Sequence, residues 1–349
     1  MRRNFIPLAA VGALLCAGCA HTPLNPRYAG PRVLPAEVAA YYAYPSTTPT
    51  VIPPPAAAAK GGTAQRAGPG GPTAGGGITR EQLEEQPRYR RFLIRFPLAS
   101  PGFEPTEPTV EVEWFESRAA GARPAILFSP ILGGDYPLER GLCRFFADHG
   151  LHVALTHRKT LKVSPEKDVS HLELLLRQAI VRNRQVVDWM AAQPNVDATR
   201  LGSFGISMGG MANVITAAVE PRLQAHVIAL AGGSLADILC SSHDKLLTKP
   251  RAKYLAYHHI DLDTMHRILA EQIRTDPMRL APYVDARRVL LIVTLLDRTI
   301  GTVNALRLRT ALGRPETTFL PLGHYTAYLA LPVLKRDSLR FFRKHLALR

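Results

Sequence analysis

The chain has 349 residues, with 43 Lys and Arg against 28 Asp and Glu, a formal charge of +15, and only 4 cysteines. So few cysteines exclude a disulfide scaffold. No aromatic-basic interleaving or nucleic-acid motif accompanies the charge, which leaves an anionic membrane surface or plain solubility as its meaning.

Arg2 and Arg3 form a positive start, faintly similar to a twin-arginine export signal, and the apolar run from Phe5 to Cys16 is too short to span a bilayer. Leu15-Cys16-Ala17-Gly18-Cys19 then resembles the end of a bacterial lipoprotein signal, with Cys16 in place of the usual leucine. The resemblance implies cleavage after residues 1–18 and lipid attachment at Cys19, hence an extracytoplasmic protein held to the cell envelope. Ala20 in place of aspartate favours the outer membrane in a two-membrane host. Without Arg2 and Arg3 the chain keeps 41 basic against 28 acidic residues, a net +13. An ordinary secretory signal ending nearby is the plainer alternative.

Residues 19–77 are rich in proline, alanine, glycine and threonine and lack apolar periodicity. Such a segment cannot bury enough surface to offset its ordering entropy, so it reads as a disordered tether, with Tyr41, Tyr42 and Tyr44 as scattered aromatics.

Residues 78–349 form the folded domain. Arg90 to Pro97 and Thr109 to Glu116 read as opening strands, followed by short apolar strands at Ala125 to Ser129 and His152 to Thr156, with a helix from Pro137 to His149 between them. His171 to Gln193 has amphipathic helical spacing. A strand at Arg200 to Phe204 leads into Gly205-Ile206-Ser207-Met208-Gly209 and a small-residue helix from Met208 to Val219. G-x-S-x-G between strand and helix is a nucleophile elbow: glycines relieve the crowding and Ser207 stands at a helix N-terminus that favours negative charge. Strands at Ala225 to Ala231, Val289 to Leu296 and Thr317 to Leu322, then a closing helix within Tyr325 to Leu348, complete the alternation. Residues 234–285 interrupt it as a helix-rich, cap-like insertion.

Ser207, Asp297 and His324 each follow a strand, so an α/β sheet gathers them at its carboxyl edge. Serine needs a base, and the base needs a group that fixes its tautomer. His324 in Gly323-His324 and Asp297 at the end of an apolar run supply both, in the order Ser, Asp, His. Asp276 and Asp285 are rival acids, each more simply a turn or capping residue.

These residues, with Gly210 and Asp297-Arg298-Thr299-Ile300, resemble the α/β-hydrolase superfamily, nearest its dienelactone-hydrolase and carboxylesterase-like branch. The resemblance implies an α/β-hydrolase fold with an eight-stranded, mostly parallel sheet and a covalent acyl-enzyme. Oxyanion donors are expected from the N–H of Met208 and from the loop Pro130-Ile131-Leu132-Gly133-Gly134. Ile131 is the choice there and Leu132 the next, since Pro130 has no N–H. Relatives often carry histidine-glycine where this chain has Ser129-Pro130.

The expected function is a serine hydrolase of carboxylic esters with catalytic Ser207, Asp297 and His324. It takes a small-molecule or acyl-ester substrate, a membrane as partner through Cys19, no nucleic acid and no cofactor. An acyltransferase with the same triad, or an inactive envelope-binding protein, are the alternatives. His259, Asp263 and His266 share a helical face but match no metal motif, so no metal is assigned. Whether Cys143 and Cys240 pair, and how the chain oligomerises, stay open.

Overall fold

The computed structural model describes residues 19–45, 77–99, 102–103, 105–133, 135–158 and 164–348. The expected signal segment 1–18 and most of the expected tether, residues 46–76, lie outside them.

One ten-stranded sheet runs through the molecule. In chain order its strands are β1 (Ala20–Thr22), β2 (Thr79–Glu85), β3 (Tyr89–Pro97), β4 (Thr109–Ser117), β5 (Arg123–Ser129), β6 (His152–Thr156), β7 (Val196–Ile206), β8 (Leu223–Ala229), β9 (Val289–Thr294) and β10 (Glu316–Leu320). Across the sheet the order is β1-β10-β9-β8-β7-β5-β6-β4-β3-β2. The six strands from β6 to β10 in that row, β5 included, are parallel, and antiparallel strands flank them. β5, β6, β8 and β9 are almost wholly buried, and most of their residues are apolar, as suits parallel strands covered on both faces.

Helices α2 (Pro137–Asp148) and α10 (Leu331–His345) cover one face. Leu142, Phe146, Leu334 and Phe342 pack there against Phe128, Phe204 and Val227. The other face carries α3 (Val169–Ala191), α4 (Met208–Val219) and α9 (Thr302–Ala311). Between β8 and β9 lie α5 (Leu235–Ser241), α6 (Lys245–His258), α7 (Leu262–Gln272) and the short α8 (Pro277–Leu280). These helices occupy the insertion read at residues 234–285.

The sheet has two strands more than the eight expected, one at each edge. β2 is charged and mostly exposed, which hides it from any apolar pattern. β1 and the residues after it correct the reading of residues 19–45 as tether. Ala20 pairs with Phe319, extending the sheet antiparallel to β10. The segment then crosses the domain, forms α1 (Ala36–Tyr41) and docks through tyrosines. The Tyr41 hydroxyl donates to Glu173 at 2.7 Å, that of Tyr42 to Thr275 at 3.2 Å and that of Tyr44 to Asp188 at 2.6 Å. Arg177 and Arg184 on α3 donate to the carbonyls of Tyr41 and Tyr42. Tyr42 is only 1% exposed and packs with Ile180, Ile215, Val219 and Leu280. Backbone pairing and aromatic anchors order a segment that has no periodicity of its own.

Cys143 and Cys240 are unpaired and buried in different clusters, one on each face of the sheet. His226 on β8 is buried, with its Nδ1 2.8 Å from the Ser203 hydroxyl on β7. Burial, aided by the Arg288 charge, pushes its imidazole down to about 3.

Two outcomes follow. Tyr42→Ala empties a closed site on the domain and should lower unfolding free energy by about 3 kcal/mol in urea titration; an unchanged midpoint would mean the strap is not part of the core. Because His226 takes up protons more readily unfolded, its contribution is present above pH 6.5 and is lost as pH falls toward 3. The melting temperature should therefore fall across that window less steeply in His226→Gln than in the parent.

Candidate active site

The chain leaves β5 toward β6 on one side, then returns through α3 to β7 on the other side of β5. The loops after β5 and β7 therefore diverge, which opens a crevice at the carboxyl edge of the sheet. Ser207 is the residue between β7 and α4. Its φ of 55° and ψ of −120° are strained for a residue with a side chain. The bond from its N–H to the Ala229 carbonyl, 2.9 Å, helps hold it there. A Cβ on Gly205 would collide with the Gly209 carbonyl, and one on Gly209 with the carbonyls of Ser129 and Pro130. The motif's glycines thus answer backbone crowding within the elbow and against β5.

His324 follows β10, with its Nε2 3.0 Å from the Ser207 Oγ. Its Nδ1 lies 2.8 Å from Asp297 Oδ2. Asp297 is 6% exposed and also accepts from the Thr294 hydroxyl and the N–H groups of Thr299 and Ile300, each at 2.9 Å. Burial alone would raise its pKa; the bond and charge of His324, with those other donors, hold the carboxyl below its ordinary value. An ionised carboxylate only accepts, so the His324 Nδ1 carries the proton and Nε2 is left to accept from the serine. The three side chains expected from the sequence thus meet in one hydrogen-bonded row.

The rival acids Asp276 and Asp285, and three other histidines, are engaged elsewhere. Asp276 accepts from the N–H groups of Leu235 and Met278, and Asp285 from that of Arg287. His152 accepts from Ser117, His157 meets Glu113, and His266 meets Asp237. Among the described residues no group of His, Cys, Asp or Glu is placed to hold a metal ion.

The oxyanion loop departs from the expectation. The Ile131 N–H donates to the buried Glu139 at 3.0 Å, and its carbonyl accepts from Arg158. A donor already bonded to a carboxylate is not aimed at a substrate oxygen, so Ile131 is corrected as the second donor. Leu132, the next choice in that loop, lines the cavity over Ser207. Met208 is the first residue of α4, so its N–H has no partner within the helix. Glu139 and Arg158 were not found from the sequence, because each looks like an ordinary surface charge there.

Nor was the tie between insertion and triad. Asp244 caps α6 and accepts from the Thr299 hydroxyl at 3.0 Å and from the Tyr325 hydroxyl. Thr299 stands two residues after Asp297, and Tyr325 follows His324. One carboxylate thereby joins the insertion to both loops that carry the partners of Ser207. An aspartate just before a helical stretch was the available sign.

The cavity holds about 300 Å³. Leu138, Met208, Leu235, Leu239, Leu247 and Ile300 are among its largely apolar walls.

Two solved structures share this architecture. Acetyl xylan esterase 1 from Thermoanaerobacterium sp. JW/SL YS485 superposes with a TM-score of 0.57 at 16% identity, covering 74% of this chain and 87% of that one. Acetyl xylan esterase from Paenibacillus sp. R4 gives 0.60 at 15% identity, with 77% and 88% covered. The chain has the α/β-hydrolase fold. A 2,6-dihydroxy-pseudo-oxynicotine hydrolase is also similar, with a TM-score of 0.52 at 13% identity over 78% of this chain and 69% of that one. No protein-family model and no curated protein matches the sequence. Identities this low carry the fold alone.

The elbow supplies a structural test. Gly209→Ala should lower the melting temperature and abolish modification of Ser207 by a fluorophosphonate, followed by intact mass. A variant that melts and labels like the parent would show that α4 can back away from β5.

Proposed function

We propose that the protein is a serine hydrolase of carboxylic esters, and the observation that carries the reading is the row Ser207–His324–Asp297 beside a largely apolar cavity. The Ser207 Oγ attacks the ester carbonyl carbon while its proton passes to the His324 Nε2. Asp297 holds the ring in its tautomer and stabilises the imidazolium. The oxyanion is taken by the Met208 N–H, with Leu132 as second donor. The tetrahedral intermediate collapses, the carbon–oxygen bond to the alcohol breaks, and the alcohol leaves with the proton from His324. Water, deprotonated by the same ring, then releases the acid and regenerates Ser207. No step calls for a cofactor.

The comparisons support the ester reading at the level of fold: two similar structures are named as acetyl xylan esterases. An acyltransferase would use the same groups with an alcohol in place of water, and an inactive scaffold would keep the fold without turnover.

The lipoprotein-like box at Leu15 to Cys19 belongs to the same proposal, with anchoring through Cys19 on the periplasmic face of an outer membrane where the host has one. Cys19 directly precedes β1, and Ala20 lies beside Phe319 near the end of β10. A lipid on Cys19 would emerge at the sheet edge that carries Ser207 and His324. No helix among the described residues is long and apolar enough to cross a membrane.

The full chain and its Ser207→Ala variant, hydrolysing p-nitrophenyl butyrate, test the chemistry. Loss of turnover and of fluorophosphonate labelling together, about 10⁴-fold or more in kcat, is the expected outcome. A folded parent that neither turns over nor labels would refute the triad and leave the scaffold.

A further inference from the structure

A second apolar cavity, of about 140 Å³, adjoins the one over Ser207. The wall between them is shared by Leu132, Met208, Leu235, Leu239, Leu246 and Leu247. Five leucines and a methionine make this partition, and side chains of these types have other staggered rotamers to turn into. Beyond it, Leu172 and Leu176 from α3 meet Tyr254 from α6 and Met265 and Leu269 from α7. The polar groups there are engaged or lie outward. Arg251 donates to the carbonyls of Leu239, Cys240 and Ser242, Asp168 caps α3, and Lys167 is exposed at the rim.

The chemistry at Ser207 gives this space a direction. A leaving alcohol oxygen must lie within reach of the His324 Nε2, which donates its proton. His324, Tyr325 and Tyr328 line the first cavity and take no part in the second. The acyl carbon chain leaves the reacting carbon by another of its bonds, away from His324. Met208 and Leu132, the oxyanion donors proposed above, line both cavities and so offer the chain a way from the first to the second.

We propose that the second cavity is the acyl-chain subsite, and that the preferred substrates are esters of linear aliphatic acids long enough to pass the leucine partition. The proposal rests on the hydrolase reading above. It departs from the acetyl chemistry in the names of the similar structures, because an acetyl group would leave all of this apolar surface without a ligand. Each further methylene that reaches the wall adds binding that an acetyl ester cannot use.

The experiment measures kcat/KM of the full chain for p-nitrophenyl esters from acetate to dodecanoate, kept below micelle-forming concentrations. Parallel labelling rates are taken with methyl and decyl fluorophosphonates, and both series are repeated on Leu172→Trp and Leu172→Met. Leu172 is partly buried and its variants are checked by melting. The parent should favour decanoate over acetate by about tenfold or more, and label faster with the decyl reagent. Leu172→Trp should lower the decanoate-to-acetate ratio of kcat/KM by about tenfold, and Leu172→Met should keep that ratio near the parent's. An acetate preference, equal labelling rates, or a tryptophan variant that loses both esters alike would overturn the subsite and leave the hydrolase standing. A folded parent that reacts with no ester and neither reagent would overturn the hydrolase reading itself.

Discussion

The first turn of α4 lies so close to the end of β5 that no side chain fits between Gly209 and the carbonyls of Ser129 and Pro130. The catalytic edge is arranged around that approach. It forces the sharp turn that holds Ser207 in a strained backbone conformation. It sets the start of α4, with its unpaired N–H groups, beside the loop that leaves β5. Asn183 on α3 fastens the same junction, donating to the Ser129 and Thr216 hydroxyls at 3.1 Å. A buried amide with two partners is a stable clamp because each bond replaces one to water that burial removes.

Around this junction, charge is handled by saturation. Asp297 is buried but surrounded by donors, so it stays ionised where an isolated carboxyl would take up a proton. Asp244 works at the boundary of the insertion, where hydroxyls of two catalytic loops converge on it. The loop after β5 is pinned at one peptide by Glu139 and at the next by Arg158. The site is thus assembled from five separate stretches of chain, joined by polar contacts as well as by packing.

Much of this was legible in the sequence, and the reason is local. The helix Met208 to Val219 has the bounds read from its small residues, because glycine punctuation and apolar spacing act within a few positions. Ser207, Asp297 and His324 were found because strand ends leave a mark: an apolar run stops and a polar residue follows. What stayed hidden depends on distance or on balance. Ile131 is withdrawn as a donor by Glu139, eight residues later, and nothing in the pattern says that this glutamate turns inward. β7 begins at Val196, earlier than Arg200, because its polar first half lies outside the apolar run. Tyr41, Tyr42 and Tyr44 looked idle because their partners lie more than a hundred residues away.

The pairing of β1 with β10 bridges a separation of 295 residues between Thr22 and Thr317. During synthesis the first of these strands is made long before its neighbour exists. It must wait, undocked, until nearly the whole domain has formed. Until then β10 presents an open edge, which is a surface on which another chain can pair. The segment that covers this edge is thus made before the strand it protects.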